Sequence, residues 1–218
     1  MQDYLTVNTV AETTCLIIAL VCLIRDKSIA WRSQILCLAA TCIAEFAGRH
    51  VKLQHQNNSW IYNIFLLFEF SFTALLFNYL ISAYTRQGKY WILSALLIFV
   101  AIYTFCISTS SFYKYAYPAY IFASAVFVIL GFYYYYLLLN DERYTDLKTS
   151  PAFWWVAGTL LFYFGNTACN IFDDDLTSIM IEPLNQHLTT FIYKILNIIL
   201  YSFWSFSYIC KKWLSTSK

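Results

Sequence analysis

Residues 90–108 read YWILSALLIFVAIYTFCIS and carry no charged side chain. A helix that crosses the hydrocarbon core of a bilayer needs about 20 mostly apolar residues. This stretch therefore predicts a transmembrane helix, and six other windows of the chain have the same character. The seven predicted spans are 5–24, 34–53, 61–83, 90–108, 119–139, 152–172 and 191–210.

The composition also indicates a chain that lies in a lipid bilayer. The 218 residues are 60% hydrophobic and only 12% charged, whereas soluble domains have about 25% charged residues. So few charges cannot cover the surface of a soluble protein of this size. We expect an all-α, polytopic membrane protein with residues 1–218 as one domain and the lipid bilayer as its partner. The net charge of +2, without a basic stripe, argues against nucleic-acid binding.

The distribution of basic residues predicts the orientation. Cytoplasmic loops collect Lys and Arg. Ten of these residues fall in the connectors after the first, third and fifth spans and in the tail, against three on the other side. We expect the N-terminus outside and the C-terminus in the cytoplasm, in a multi-pass protein of a cell membrane such as the bacterial inner membrane.

The chain has seven cysteines, and all of them fall inside or at the ends of the predicted spans. No two form a CxxC pair, so a disulfide or metal role is not indicated. We expect them to serve as small buried apolar residues. They are Cys15, Cys22, Cys37, Cys42, Cys106, Cys169 and Cys210.

Four ionisable residues lie well inside the spans, namely Glu12, Glu45, Glu69 and Lys194. A charge inside a bilayer costs at least about 2.5–3.5 kcal/mol on insertion scales, and such residues mark functional sites. With a rise of about 1.5 Å per residue, all four lie roughly 5–12 Å below the outer ends of their spans. The outer half of the bundle is therefore the expected place of a site.

Helical spacing groups the polar residues into stripes. Glu45 and Arg49 are four residues apart on the second span, and similar stripes follow the sixth and seventh spans. Lipid cannot satisfy polar side chains, so the stripes should face one another or water. We predict an outward-facing polar pocket. Its residues are Glu12, Glu45, Arg49, Glu69, Tyr163, Asn166, Asn170, Lys194, Asn197 and Tyr201.

These residues have assigned roles in the predicted pocket. Glu45 and Glu69 are candidate proton or cation sites, while Lys194 and Arg49 would meet an anionic group or offset the glutamates. The asparagines and tyrosines would supply hydrogen bonds. Structural roles are the alternatives, because Lys194 could extend to the outer interface and Glu45 could simply pair with Arg49. No metal or cofactor is predicted, since His50 and the glutamates have no zinc spacing signature.

A faint internal repeat relates two segments, WIYNIFLLFEFSF (60–72) and FIYKILNIILYSF (191–203). It suggests two parallel three-span repeats around a linker span, one of the known transporter plans. In topology this plan resembles the sugar-transporting SWEET and PQ-loop families and, more loosely, rhodopsins. The chain has no Pro-Gln pair, however, and Lys194 is too shallow for a retinal lysine. A late histidine cluster of the ceramidase type is also missing, so no family is assigned.

These features favour a membrane protein that binds or transports a small polar solute, alone or with a proton. One alternative is a sensor that passes an outer signal to a separate membrane or cytoplasmic partner protein. Another is an intramembrane enzyme that uses carboxylates or a metal. A further alternative is an assembly factor whose polar groups only fasten the helices together.

Overall fold

The computed structural model describes residues 6–142, 146–182 and 186–214, with the backbone alone at residues 173 and 174. It is 82% helical, which confirms the all-α prediction. The helices are α1 (Val7–Leu23), α2 (Ile29–Leu53), α3 (Ser59–Ser82), α4 (Gly88–Ser110), α5 (Tyr117–Leu139), α6 (Pro151–Ile171), α7 (Asp173–Ser178) and α8 (Leu188–Ile209).

Two short strands and one π-helical turn complete the described part of the chain. Strands β1 (Met180–Ile181) and β2 (Gln186–His187) pair antiparallel, with Met180 opposite His187. A π-helical turn (Cys210–Leu214) continues α8. The sequence predicted a plain connector between the last two spans, because α7 and the hairpin are too short to produce a periodic pattern.

Among the residues that the structure describes, four helices are long and apolar enough to cross a membrane, namely α2, α3, α4 and α5. Helix α1 is apolar but shorter, with 17 residues. Helix α2 begins five residues before the predicted window, at Ile29. The early start follows Ser28, whose extended backbone is typical of a helix N-cap.

Local signals set two other helix starts. At α1, the Thr6 hydroxyl accepts from the Thr9 amide at 3.4 Å, and the Thr9 hydroxyl accepts from the Thr6 amide at 2.8 Å. At α6, the Ser150 hydroxyl caps the Phe153 amide, and Pro151 occupies the first helical position. Proline is favoured there because the first-turn amide has no intrahelical partner. These caps explain why α6 begins within one residue of the predicted window.

The long helices form a closed ring in which each helix packs against its neighbours in the chain. The ring closes where α8 packs against α1, while α6 and α8 make the most extensive contact. Stacked aromatic side chains fill the middle, including Phe70 on Phe99 at 4.0 Å and Trp155 on Trp204 at 5.6 Å between ring centroids. This arrangement brings the polar faces of α1, α3, α6 and α8 toward one another.

Glycines allow the close contact between α6 and α8. A Cβ atom at Gly158 would lie 2.7 Å from the Phe203 Cβ, and one at Gly165 would lie 2.6 Å from the Leu196 Cδ2. The Trp204 Nε1 also donates to the Thr159 Oγ1 at 3.0 Å across this contact. Small residues that let two backbones approach, together with a hydrogen bond between helices, are typical of packing in lipid.

Asn63 holds the connector between α4 and α5. Its side chain is fully buried and its Nδ2 donates to the carbonyls of Phe112 (2.9 Å) and Lys114 (2.8 Å). Its Oδ1 accepts from the Ala116 amide at 3.0 Å. One α3 side chain therefore satisfies three backbone groups of a connector that has little regular structure of its own.

We expect Asn63→Ala to lower the free energy of unfolding by about 2–4 kcal/mol, because it leaves three backbone groups, including the buried Ala116 amide, without partners. Chemical unfolding of the purified protein in detergent measures the change. Asn140→Ala is the matched control, since Asn140 is exposed and its Nδ2 donates to the Tyr136 carbonyl of the helix that it ends. Losses of equal size in the two variants would contradict the assigned role of Asn63.

Candidate functional site

Glu12 of α1 is the most deeply buried acidic side chain of the predicted site, with 3% of its surface exposed. Its Oε2 has no hydrogen-bond partner among the described residues. Its nearest charged neighbours are Glu45 and Arg49 of α2, which lie close enough to interact with it electrostatically. Buried polar atoms are normally hydrogen-bonded, so an unpartnered carboxylate oxygen is a candidate contact for a proton, a cation or a ligand donor.

Arg49 links the outer end of α2 to the beginning of α1. Its Nη2 donates to the Thr6 Oγ1 at 2.8 Å, and the same hydroxyl belongs to the cap of α1. Asn8, two residues after Thr6, also has a buried Oδ1 without a partner in the described part of the chain. Asn8 and Glu12 are four residues apart, so they continue one polar face along α1.

Tyr62 of α3 joins this group, although the sequence did not assign it a role. Its phenol lies close enough to the Glu45 carboxyl to interact with it and lies directly over Gly48, where a Cβ atom would come within 2.7 Å of the hydroxyl oxygen. Only a glycine at this point of α2 leaves room for the ring. One signal was present, since Tyr62 precedes Glu69 by two helical turns and so shares its face.

Glu69 receives its partner from a distant part of the chain. The Tyr163 hydroxyl of α6 donates to the Glu69 Oε1 at 2.8 Å. Tyr163 is buried, while the Glu69 side chain keeps part of its surface accessible. The sequence placed both residues in the site but could not pair them, because 94 positions separate them.

Tyrosines connect the three glutamates. Tyr201 of α8 is buried and interacts electrostatically with Glu12, Glu69 and Glu45. Tyr115, in the connector before α5, also lies near Glu69, and burial raises the pKa of its phenol well above the ordinary value. That phenol therefore stays protonated and can act as a hydrogen-bond donor.

We call Glu12, Glu45, Arg49, Glu69 and Tyr201 the acidic cluster. Its side chains come from α1, α2, α3 and α8, and Tyr163 adds a contact from α6. Glu12 and Glu45 lie within electrostatic range of Arg49, and Tyr201 lies within electrostatic range of all three glutamates. With three carboxyl groups and one guanidinium, the cluster has an excess of acid.

Three other predicted site residues, Asn170, Lys194 and Asn197, lie in a second group between α6, α8 and the hairpin. The Lys194 ammonium donates to the side-chain oxygen of Gln186 in β2. The Tyr193 hydroxyl donates to the Asn170 Oδ1 at 3.0 Å, and Asn197 Nδ2 donates to the Tyr193 carbonyl at 2.9 Å. Among the described contacts Lys194 therefore pairs with a hairpin amide, and Arg49 is the cation beside Glu12 and Glu45.

Asn166 stands between the two groups. It is buried on α6, and its side chain lies close enough to the Tyr120 phenol of α5 to interact with it. Tyr120 in turn lies within electrostatic range of Glu69 and of Tyr193. The two groups are therefore joined through α5 and α6 at the same level of the bundle.

The described residues contain no group of three or more His, Cys, Asp or Glu side chains placed to hold a metal ion. No protein-family model, curated protein or solved structure matches the chain. The candidate site therefore rests on the chemistry of the chain's own residues. The acidic cluster is the strongest candidate, because it holds a buried carboxylate oxygen without a described partner and more carboxyl groups than cations.

The bond between Tyr163 and Glu69 can be measured by a double-mutant cycle of Tyr163→Phe and Glu69→Met. We expect a coupling energy of about 0.5–2 kcal/mol in the free energy of unfolding in detergent, the range of hydrogen bonds between helices in membranes. A matched cycle of Tyr163→Phe with Glu45→Met should give less than about 0.3 kcal/mol. The pairing is wrong if both cycles give the same value.

Proposed function

We propose that the chain is an integral membrane protein whose spans are α1 to α6 and α8, with the N-terminus outside. Helices α6 and α8 have 21 and 22 residues, long enough to cross a bilayer. The contact of Arg49 with Thr6 and that of Asn57 with the Tyr113 carbonyl bring alternate connectors to one end of the bundle. The parallel three-span repeat stays a prediction that rests on the sequence matches.

We further propose that the chain binds a small polar solute carrying a positive charge at the acidic cluster. The observation that carries this proposal is the buried, unpartnered Oε2 of Glu12 beside Glu45 and Arg49. In a medium of low dielectric constant, the carboxyl groups in excess of Arg49 need a proton or a cation. An ammonium or guanidinium group of a solute would supply both the charge and the missing hydrogen-bond donor.

Transport with a proton is the form of this function that the cluster supports best. Glu69 is bonded by a neutral phenol rather than by a cation, so it can take up or release a proton without breaking an ion pair. Tyr201 lies within electrostatic range of both Glu12 and Glu69. A solute bound near Glu12 and a proton on Glu69 would therefore influence each other's binding electrostatically.

One observation favours the sensor as a second candidate. An aromatic layer of Phe77, Trp155 and Trp204 lies in the bundle beyond the cluster, and all three side chains are buried. Such packing gives a solute no polar path toward the cytoplasm. A protein that only binds the solute would pass its signal to a separate partner protein.

A thermal-shift screen of the purified protein in detergent tests solute binding. The probes are small amines, guanidines and amino acids, and a probe at 100 times its dissociation constant should add about 2.7 kcal/mol of stability. We expect Glu12→Gln to abolish the shift because it removes the unpaired acid. Glu142→Gln is the matched control, since Glu142 is exposed outside the spans.

The site assignment fails if Glu12→Gln and Glu45→Gln both respond to that probe as the natural chain does. A response that is lost in Glu142→Gln as well would indicate a general effect of charge. Neither variant is judged by its stability alone, because each is compared with and without the probe.

Uptake into proteoliposomes separates transport from sensing. We expect a proton gradient to accelerate entry of the probe that the screen identifies, and Glu69→Gln to remove this acceleration while the thermal shift persists. Liposomes with the Glu142→Gln variant serve as the control. Binding without any flux in the natural chain would overturn transport in favour of the sensor.

A further inference from the structure

A large cleft of about 950 Å³ opens at the end of the bundle opposite to the acidic cluster. It lies where the connector between α1 and α2 meets the end of α3 and the π-helical turn. Three of its lining residues are cations, Arg25, Lys27 and Lys211, and we call it the basic cleft. The predicted orientation places it at the cytoplasmic surface of the membrane.

One carboxylate organises the basic cleft without neutralising it. The Asp26 carboxylate lies 3.7 Å from the Lys211 ammonium and accepts from the Ser28 amide at 2.7 Å. The Lys211 ammonium also lies 5.6 Å from the centre of the Trp31 ring. Asp26 therefore fixes the connector against the C-terminal turn, while Arg25 and Lys27 extend exposed side chains. The cleft keeps an excess of positive charge.

The N-terminus of α2 also opens into the basic cleft. Ser28 has the extended backbone of a cap, but its side chain makes no capping hydrogen bond. Its Oγ is buried and has no partner among the residues described, although it lines the cleft. The first amides of a 25-residue helix and its dipole attract anions, phosphate above all. The helix end and the cations thus favour the same ligand charge.

An apolar groove leads away from the basic cleft. This groove of about 480 Å³ runs between α3 and α4 and is lined by Leu75, Ile92, Leu93 and Leu96. Leu75 and Asn78 line both the groove and the cleft, so the two lie side by side. The Oδ1 of Asn78 is buried there and has no partner in the described part of the chain. A ligand that fits both parts has an anionic head and a hydrocarbon tail.

We propose that the basic cleft and the groove together bind an anionic phospholipid of the cytoplasmic leaflet. Its phosphate would meet the first turn of α2 with Arg25 and Lys27, and one acyl chain would lie against Leu75 and Leu93. Basic pockets beside spanning helices on the cytoplasmic side are the usual sites for such headgroups. This site is separate from the acidic cluster and does not depend on the solute proposed for it.

The test uses the full chain, purified in a neutral detergent, and follows its thermal unfolding as lipid is added. Phosphatidylglycerol should raise the melting temperature by several degrees, whereas phosphatidylcholine with the same acyl chains should not. Inorganic phosphate and glycerol 3-phosphate should also fail, since neither has a chain to fill the groove. A shift of equal size with phosphatidylcholine, or with phosphate alone, would overturn the proposal of an anionic lipid site.

A pair of double variants locates the site. Each cation near a membrane surface contributes about 1 kcal/mol, or roughly fivefold in affinity, so Arg25→Gln with Lys27→Gln should weaken binding about 25-fold. Arg86→Gln with Lys148→Gln changes the charge equally at exposed positions outside the cleft and should leave the affinity unchanged. Native mass spectrometry of the retained lipid gives a second readout. Equal lipid binding by the two double variants would contradict the assignment of the lipid site to the basic cleft.

Discussion

The close approach of α6 and α8 at Gly158 and Gly165 is the contact on which the rest of the bundle depends. Helices in lipid gain nothing from the hydrophobic effect when they meet, so tight packing and hydrogen bonds must hold them. Here the glycines bring Phe203 and Leu196 against the α6 backbone, and the Ser207 hydroxyl donates to the Pro151 carbonyl at 2.7 Å. Because α8 also packs on α1, this contact closes the ring and sets the distance between Tyr201 and Glu12.

The polar side chains inside the bundle fall into two groups, those with hydrogen-bond partners and those without. Asn63 and Thr159 have partners at good hydrogen-bond distance, as expected where water cannot help. Glu12 and Asn8 each keep a buried oxygen without a described partner, at a cost that packing elsewhere must offset. A buried oxygen without a partner is therefore a better guide to a candidate site than the number of polar residues. Most polar residues serve to hold helices and connectors in place.

The sequence predicted helices wherever the apolar pattern was long and local. The bounds of α3 and α4 agree with the windows 61–83 and 90–108 within about two residues, and the i, i+4 relation of Glu45 and Arg49 followed from one helix alone. Tyr62 was missed because its hydroxyl reaches Glu45 through a gap left by Gly48. The partner of Lys194 was missed because it lies on a hairpin of two-residue strands. Both contacts depend on how separate elements pack together, and the periodicity of a single segment carries no information about that packing.

The predicted burial of the cysteines is confirmed, and it has a practical consequence. None of the seven is joined in a disulfide, and each is between 0 and 8% exposed. A water-soluble maleimide should therefore not react with the natural chain, but it should react with a single cysteine introduced on a connector. Dyes, spin labels or cross-linkers can be attached one position at a time without first rebuilding the interior, where replacing seven close-packed sulfur atoms would disturb the very packing under study.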